Sequence, residues 1–222
     1  VPRRIALDRA KSLSETPAPR SFGIAIVAGG RGTRLPGKLT ATAGSTPMIV
    51  RVLDNVRGAA SEIVVSTSAE LAPTMGALVD VPVVLDGERD RGPLGGMLSA
   101  FATMRSPLIF TVSGDAPFVD AAFAHRFVAH WKDGDEALVP VHAGADGRPQ
   151  IEPLAAFYDR AAFVRVAPEI LRSGRGAVRR VVEALRTRYV EVDDDPLRFT
   201  NVNTPEDYAA LLEQLRARGE FA

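Results

Sequence analysis

The sequence predicts an α/β fold in which a mostly parallel central sheet is covered by helices on both faces. Three observations lead there. A short apolar run occurs at 22–28, as a buried strand requires, and further strand signals, largely apolar, occur at 63–66 and 108–112. Helical signals alternate with them, the pattern of parallel strands joined by crossover helices. The 222 residues, 46% of them hydrophobic, suffice for one substantial core without help from a partner.

Residues 1–20 combine charge, Ser and Pro and read as a flexible N-terminal extension, with a short helix at Ile5 to Leu13. About Phe22 to Ala28 is a buried strand feeding a glycine loop. A helix follows from Pro47 to about Val56, with Thr46 as its cap and Pro47 in its first turn. Strands are expected at about Ile63 to Ser66, Val81 to Leu85 and Leu108 to Val112, and GPLGGMLSAFATMRS places a helix between the last two, beginning near Pro93 or Leu94. Val119 to His130 reads as a helix and Ala137 to Val141 as a strand. Phe157 to Leu171 and Val178 to Arg186 look helical, Tyr189 to Val192 adds a strand, and Thr204-Pro205-Glu206 announces a last helix through about Arg216. The segment His142 to Pro153, HAGADGRPQIEP, either begins an acceptor-binding region or turns the chain at the sheet edge.

Composition removes several classes of function. Lys and Arg number 27 and Asp and Glu 27, so no global charge draws the chain to nucleic acid or an anionic membrane. The absence of cysteine excludes disulfides, thiolate catalysis and cysteine-held metals. His125, His130 and His142 form no close metal-ligand motif and read as surface or packing residues, as do Trp131 and Tyr158. No apolar run reaches the roughly 18 residues of a membrane span, and the first residues lack the apolar stretch of a signal peptide. Both observations fit a cytoplasmic enzyme.

The strongest local signal is Ala28-Gly29-Gly30-Arg31-Gly32-Thr33-Arg34-Leu35-Pro36-Gly37-Lys38. Its glycines allow tight turns and close backbone approach, while Arg31, Arg34 and Lys38 oppose phosphate charge; together they suit a triphosphate. It is not a Walker A loop, because Leu39 stands where Ser or Thr must follow the lysine, and GGRGTRLPG lacks the GxGxxG rhythm. The alternative is a flexible surface loop. Asp115, in LIFTVSGDAPF, falls just beyond the carboxyl end of a strand, where open α/β sheets place ligands; it either holds Mg²⁺ or caps the helix near Val119. Asn201 and Asn203 point to the same side of an extended backbone, and Asn203 either faces the reacting groups or shapes the turn before Thr204. Glu206 and Asp207 read as first-turn helix residues.

Read with GPLGG at Gly92 to Gly96, SGDAPF at Ser113 to Phe118 and NVNTPED at Asn201 to Asp207, the loop resembles that of the molybdenum cofactor guanylyltransferase family, over about Phe22 to Leu215. The resemblance implies a three-layer α/β/α Rossmann-like nucleotidyltransferase fold over 21–218. It implies transfer of GMP from GTP to the phosphate of molybdopterin, or of the molybdenum cofactor, with release of pyrophosphate. It places Ala28, Gly29, Gly30, Gly32 and Thr33 around the guanine nucleotide, with Gly29 and Gly30 near base and sugar. Arg34 and Lys38 fall near the phosphates, and Gly92, Pro93 and Leu94 against the nucleotide. Asp86, or Asp90, would read ribose or base; Asp115 and Asn203 would hold Mg²⁺, with Mn²⁺ as the alternative ion. The family loop commonly reads Arg-Met-Gly followed by Asp-Lys, whereas this chain has the shorter Arg34-Leu35-Pro36-Gly37-Lys38 without that Asp. Ala28-Gly29-Gly30 in place of the cytidylyltransferase Ala-Ala-Gly, together with GPLGG, favours guanine over cytosine.

No enzyme nucleophile is needed for such a transfer: an acceptor phosphate is already an anion, so orientation and charge stabilisation carry the reaction. Arg148, Gln150, Arg175, Arg179 and Arg180 either meet an anionic acceptor or form a solvated basic face. Transient contact with cofactor-synthesis proteins or molybdoenzyme chaperones, and a monomer or weak homo-oligomer, complete the expectation. Two alternatives stand beside it: nucleotidyl transfer to another phosphorylated small molecule, and a non-catalytic nucleotide-binding regulatory protein.

Overall fold

Strands buried on both sides are mostly apolar, and the central strands of this chain are, with Ser66, Thr67 and Thr111 as buried exceptions. The computed structural model describes residues 7–9, 20–29, 34–87, 92–144, 147–174, 177–192, 195 and 197–220. In chain order these form β1 (Leu7–Arg9), β2 (Gly23–Val27), β3 (Thr42–Ala43), β4 (Thr46–Pro47), α1 (Met48–Val56), β5 (Ile63–Thr67), α2 (Ala72–Leu78), β6 (Val83–Leu85) and α3 (Gly92–Thr103). Then come β7 (Leu108–Ser113), α4 (Ala121–Val128), β8 (Ala137–Ala143), β9 (Pro149–Ile151), β10 (Phe157–Asp159), α5 (Arg160–Arg172), α6 (Val178–Ala184), β11 (Thr187–Glu191) and α7 (Pro205–Ala217).

The main sheet runs β1-β11-β8-β10-β7-β2-β5-β6, with β9 added to β8. Only β9 and β10 are antiparallel to their neighbours, so the sheet is mostly parallel, as expected. Side chains alternate between two cores. Ile24, Ile26 and Ala28 of the first strand join Phe110 and Val112 under α1 and α4, while Ala25 and Val27 join Ile109 under α3, α5 and α6. Two helical layers on one sheet is the three-layer arrangement. Thr111, the polar residue inside β7, is buried and donates its hydroxyl hydrogen to the Pro153 or Ala156 carbonyl, 3.1 Å from each, so its burial leaves no donor unmet.

Several boundaries differ from expectation for identifiable reasons. The helix expected over Phe157 to Leu171 begins later: Phe157–Asp159 inserts antiparallel between β7 and β8, and the Asp159 carboxylate accepts from Ala162 N at 2.7 Å to start α5. Thr46 does not cap α1; with Pro47 it pairs with Thr42–Ala43, and Pro47 itself occupies the cap position without a side-chain bond. α4 is shorter than Val119 to His130, because Asp120 caps it by accepting from Phe123 N at 2.6 Å. The described part of the expected helix at Ile5 to Leu13 is a strand, pairing in parallel with β11. α2 and β9 were not anticipated.

α7 carries a capping box, in which Thr204 Oγ1 accepts from Asp207 N at 3.1 Å and Asp207 Oδ2 accepts from both Asn203 N and Thr204 N at 2.9 Å. Loss of such a cap costs about 1 kcal/mol, so Asp207→Ala is expected to lower Tm by about 2–4 °C. The Asn203 N–H holds the Asp207 carboxyl below its ordinary value. That contribution is complete above the unfolded Asp pKa of about 3.9 and is lost as pH falls through the lower folded value. Melting curves of wild type and Asp207→Ala therefore converge in strong acid; a gap that stays constant down to pH ~2 would contradict the assignment.

Candidate active site

β2, β5, β6 and β7 are parallel and end on the same edge of the sheet, and the chain continues the pairing for one residue beyond β2, β6 and β7. Ala28 N donates to Ser66 O at 2.8 Å, Asp86 N to Thr67 O at 2.7 Å, and Gly114 N to Val27 O at 2.9 Å. This edge gathers Ala28 and Gly29, Ser66, Asp86 and Asp115, from four strands. Open α/β sheets offer their ligand crevice at such carboxyl ends.

Three of the sequence-predicted residues meet here. The Lys38 ammonium donates to Asp115 Oδ2 and, at 2.9 Å, to Asn203 Oδ1. The Lys38 and Asp115 side chains are each 11% exposed, so the ion pair is largely withdrawn from water. Ser113 Oγ donates to the other carboxylate oxygen at 2.5 Å, and Val202 N donates to Asp115 O at 3.0 Å, which ties the NVNTPED segment to the SGDAPF segment. Asn203 is held in turn by its N–H on Asp207. Asp115 is not the cap of α4, since Asp120 fills that role. Lys38 follows Gly37, whose φ of 73° suits glycine, and a turn in which Thr40 N and Ala41 N donate to Gly37 O. That turn, not a helix, leaves Lys38, as the mismatch to Walker A requires.

A second feature lies at the end of β6. A Cβ on Gly29 would stand 1.6 Å from Asp86 Oδ2, and one on Gly96 would stand 2.8 Å from both Asp86 Oδ1 and Ser66 Oγ. Two glycines thus make room for one carboxylate. Asp86 Oδ1 and Ser66 Oγ are buried and have no hydrogen-bond partner among the described residues, and burial pushes the Asp86 carboxyl above its ordinary pKa. Buried polar atoms without protein partners are where a ligand or an ordered water can supply the missing bond.

The remaining predicted residues are placed as follows. Ala28 is buried in the core; its carbonyl accepts from Thr67 Oγ1 at 3.2 Å. Arg34 is exposed and lies near enough to Asp207 to lower its pKa. Gly92 and Pro93 open α3 on the surface, whereas the Leu94 side chain is fully buried and offers a ligand only its main chain. Gly30, Arg31, Gly32, Thr33, Asp90 and Arg175 lie outside the described residues. Arg179 pairs with Glu183 at 3.3 Å on an exposed helix face. His125 packs its ring against Phe22, His130 against Phe127, and His142 bonds Glu152 at 2.8 Å while stacking on Phe199.

The model of the MobA-like NTP transferase domain matches residues 24–192. The chain belongs to this family. This MobA-like transferase is 30% identical over 209 residues to a molybdenum cofactor guanylyltransferase of Cereibacter sphaeroides, covering 89% of this chain and 98% of that one. Its fold is that of the molybdopterin-guanine dinucleotide biosynthesis protein A of Archaeoglobus fulgidus, with TM-score 0.75 and 22% identity over 88% of this chain and 100% of the other. The MobA-like fold also matches the 2-C-methyl-D-erythritol 4-phosphate cytidylyltransferase of Thermus thermophilus, with TM-score 0.71 and 15% identity over 89% and 100% of the two chains. A fold shared by proteins named for guanine dinucleotide synthesis and for cytidylyl transfer does not by itself choose a base.

Among the described residues no group of three or more His, Cys, Asp or Glu stands together as a metal cage. Asp115 and Asn203 nevertheless fit Mg²⁺. Each offers a hard oxygen at one point, and this ion takes few protein ligands, filling its octahedron with water and phosphate oxygens. Sequence reasoning missed Ser66 and Ser113. Ser113 was findable, since it lies two residues before Asp115 on the same strand edge; nothing local distinguishes Ser66.

Proposed function

We propose that this chain transfers GMP from GTP to the terminal phosphate of molybdopterin, or of the molybdenum cofactor, releasing pyrophosphate. The observation that carries the reading is the meeting of Lys38, Asp115 and Asn203, drawn from three separate motifs, at the carboxyl edge of a nucleotidyltransferase sheet. The chain's similarity to molybdenum cofactor guanylyltransferases supports the acceptor. Asp115 and Asn203 would hold the metal, which would supply neutralisation of charge on the phosphate oxygens. Gly29, Gly30, Gly32 and Thr33 let the backbone approach the nucleotide, and Asp86 receives donors of the base. Arg34 and Lys38 bind the triphosphate and stabilise the pyrophosphate as it leaves. An acceptor phosphate oxygen attacks the α-phosphorus, forming one P–O bond as the bond to pyrophosphate breaks, and the chain supplies orientation and charge.

The test is pyrophosphate release from GTP, compared with ATP and CTP, with and without Mg²⁺ and a molybdopterin-loaded acceptor. Release that requires GTP, Mg²⁺ and that acceptor is expected. Turnover only with another phosphorylated acceptor would move the substrate assignment while leaving nucleotidyl transfer intact; GTP binding without release for any acceptor would mean a non-catalytic protein.

A further inference from the structure

The two oxygens suited to a divalent ion are already engaged. Asp115 Oδ2 and Asn203 Oδ1 converge on one point, and the Lys38 ammonium stands there, bonded to both. The oxygens are fixed from behind. Ser113 holds the carboxylate, Val202 N holds the Asp115 carbonyl, and Asp207 holds the Asn203 backbone. Apart from its bonds to those two oxygens, Lys38 is held among the described residues at its main chain, by its N–H on Leu35 O and by the buried Leu39 beside it, and its ammonium rides on a flexible four-carbon stem. Of the three partners, the cation is the one able to leave.

Charge makes the occupancy exclusive. One carboxylate balances one ammonium, and a divalent ion brought to the same oxygens while Lys38 stayed would meet a like charge at contact distance in a site largely closed to water. A triphosphate changes the sum, because its oxygens offer Lys38 another anion and supply the metal with further ligands. We propose that Lys38 is a resident cation that closes the Asp115–Asn203 site to divalent ions until a nucleoside triphosphate draws it off, so that metal binding depends on nucleotide. This rests on reading the cleft as a triphosphate site.

The experiment is Mn²⁺ binding followed by electron paramagnetic resonance on the full chain, with and without GTP and with no acceptor present. Wild type should take up little Mn²⁺ alone and bind it readily with GTP. Lys38→Met, of similar length but neutral, should bind Mn²⁺ without nucleotide at least ~10-fold more tightly than wild type, while Lys38→Arg should behave as wild type. Equal Mn²⁺ affinity of wild type and Lys38→Met in the absence of GTP, or no uptake by either, overturns the proposal. If Lys38→Met does not fold, Lys38→Gln makes the same comparison. Wild type alone can overturn it as well: once the Mn²⁺ held by GTP in solution is subtracted with a protein-free control, no mutual effect of Mn²⁺ and GTP on binding contradicts the linkage the proposal requires. Equilibrium dialysis of GTP is read separately: a chain that binds no GTP loses the triphosphate reading, while the Mn²⁺ comparison between wild type and the neutral variant still reports on Lys38.

Discussion

Asp115→Asn is expected to lower kcat for pyrophosphate release by about 10³-fold, the scale set by removing a preorganised charge-stabilising group, while leaving the fold intact. The substitution keeps the shape and removes the charge. Ser113 Oγ now donates to one carboxylate oxygen, and a hydroxyl can rotate to accept from an amide instead, which leaves the new carbonyl facing Lys38. The main-chain bond from Val202 N to position 115 is untouched. Helix α4 is also safe, because Asp120 rather than Asp115 caps it. Loss of rate would thus report on metal and phosphate handling and not on unfolding. The check is kcat at saturating Mg²⁺ alongside a thermal melt. A kcat within about 10-fold of wild type, with an unchanged melt, would remove Asp115 from the chemistry.

Legibility in the sequence followed the range of the interaction. Lys38, Asp115 and Asn203 were readable because each sits in a short motif with its own local logic: a glycine-rich turn, a strand end, an extended segment before a helix cap. That they touch is a tertiary fact. The central strands β2, β5 and β7 were readable because burial on both faces demands largely apolar runs. β10 was not, since the short apolar stretch Phe157-Tyr158 is indistinguishable by periodicity from the first turn of the helix that follows; only Asp159, the cap, marks the boundary. β1 and β9 are three residues each and owe their hydrogen bonds to β11 and β8, partners that no local pattern announces. In α2, Pro73 in the first turn was the available signal, offset by Gly76 and a single buried residue, Met75. The Asp86 cradle joins Gly29, Ser66 and Gly96 from three segments, so the sequence could place Gly29 near the nucleotide and Gly96 in a family motif but could not show that both leave room for one carboxylate.

That cradle makes the base-reading assignment testable apart from the metal. Guanine presents a ring N–H and an exocyclic amine side by side, and a carboxylate accepts from both; Asp86→Asn would turn one acceptor towards a donor. Hydrogen bonds to a charged group are worth about 1.5–3 kcal/mol, so kcat/KM for GTP is expected to fall roughly 10- to 150-fold. The metal and phosphate contacts proposed for Asp115 and Lys38 lie on another strand end and another loop, so kcat at saturating GTP should change far less. The informative comparison is with inosine triphosphate, which lacks the exocyclic amine. Wild type should prefer GTP to it, and Asp86→Asn should erase most of that preference. If Asp86 served the ribose, both nucleotides would weaken together and their ratio would stay at the wild-type value. Burial favours the base under the proposed reading: Asp86 Oδ1 and Ser66 Oγ both lie against Gly96, and these two oxygens lack a protein partner among the described residues. A site built to accept such donors rejects a ligand that lacks them, because the buried acceptor is then left unpaired.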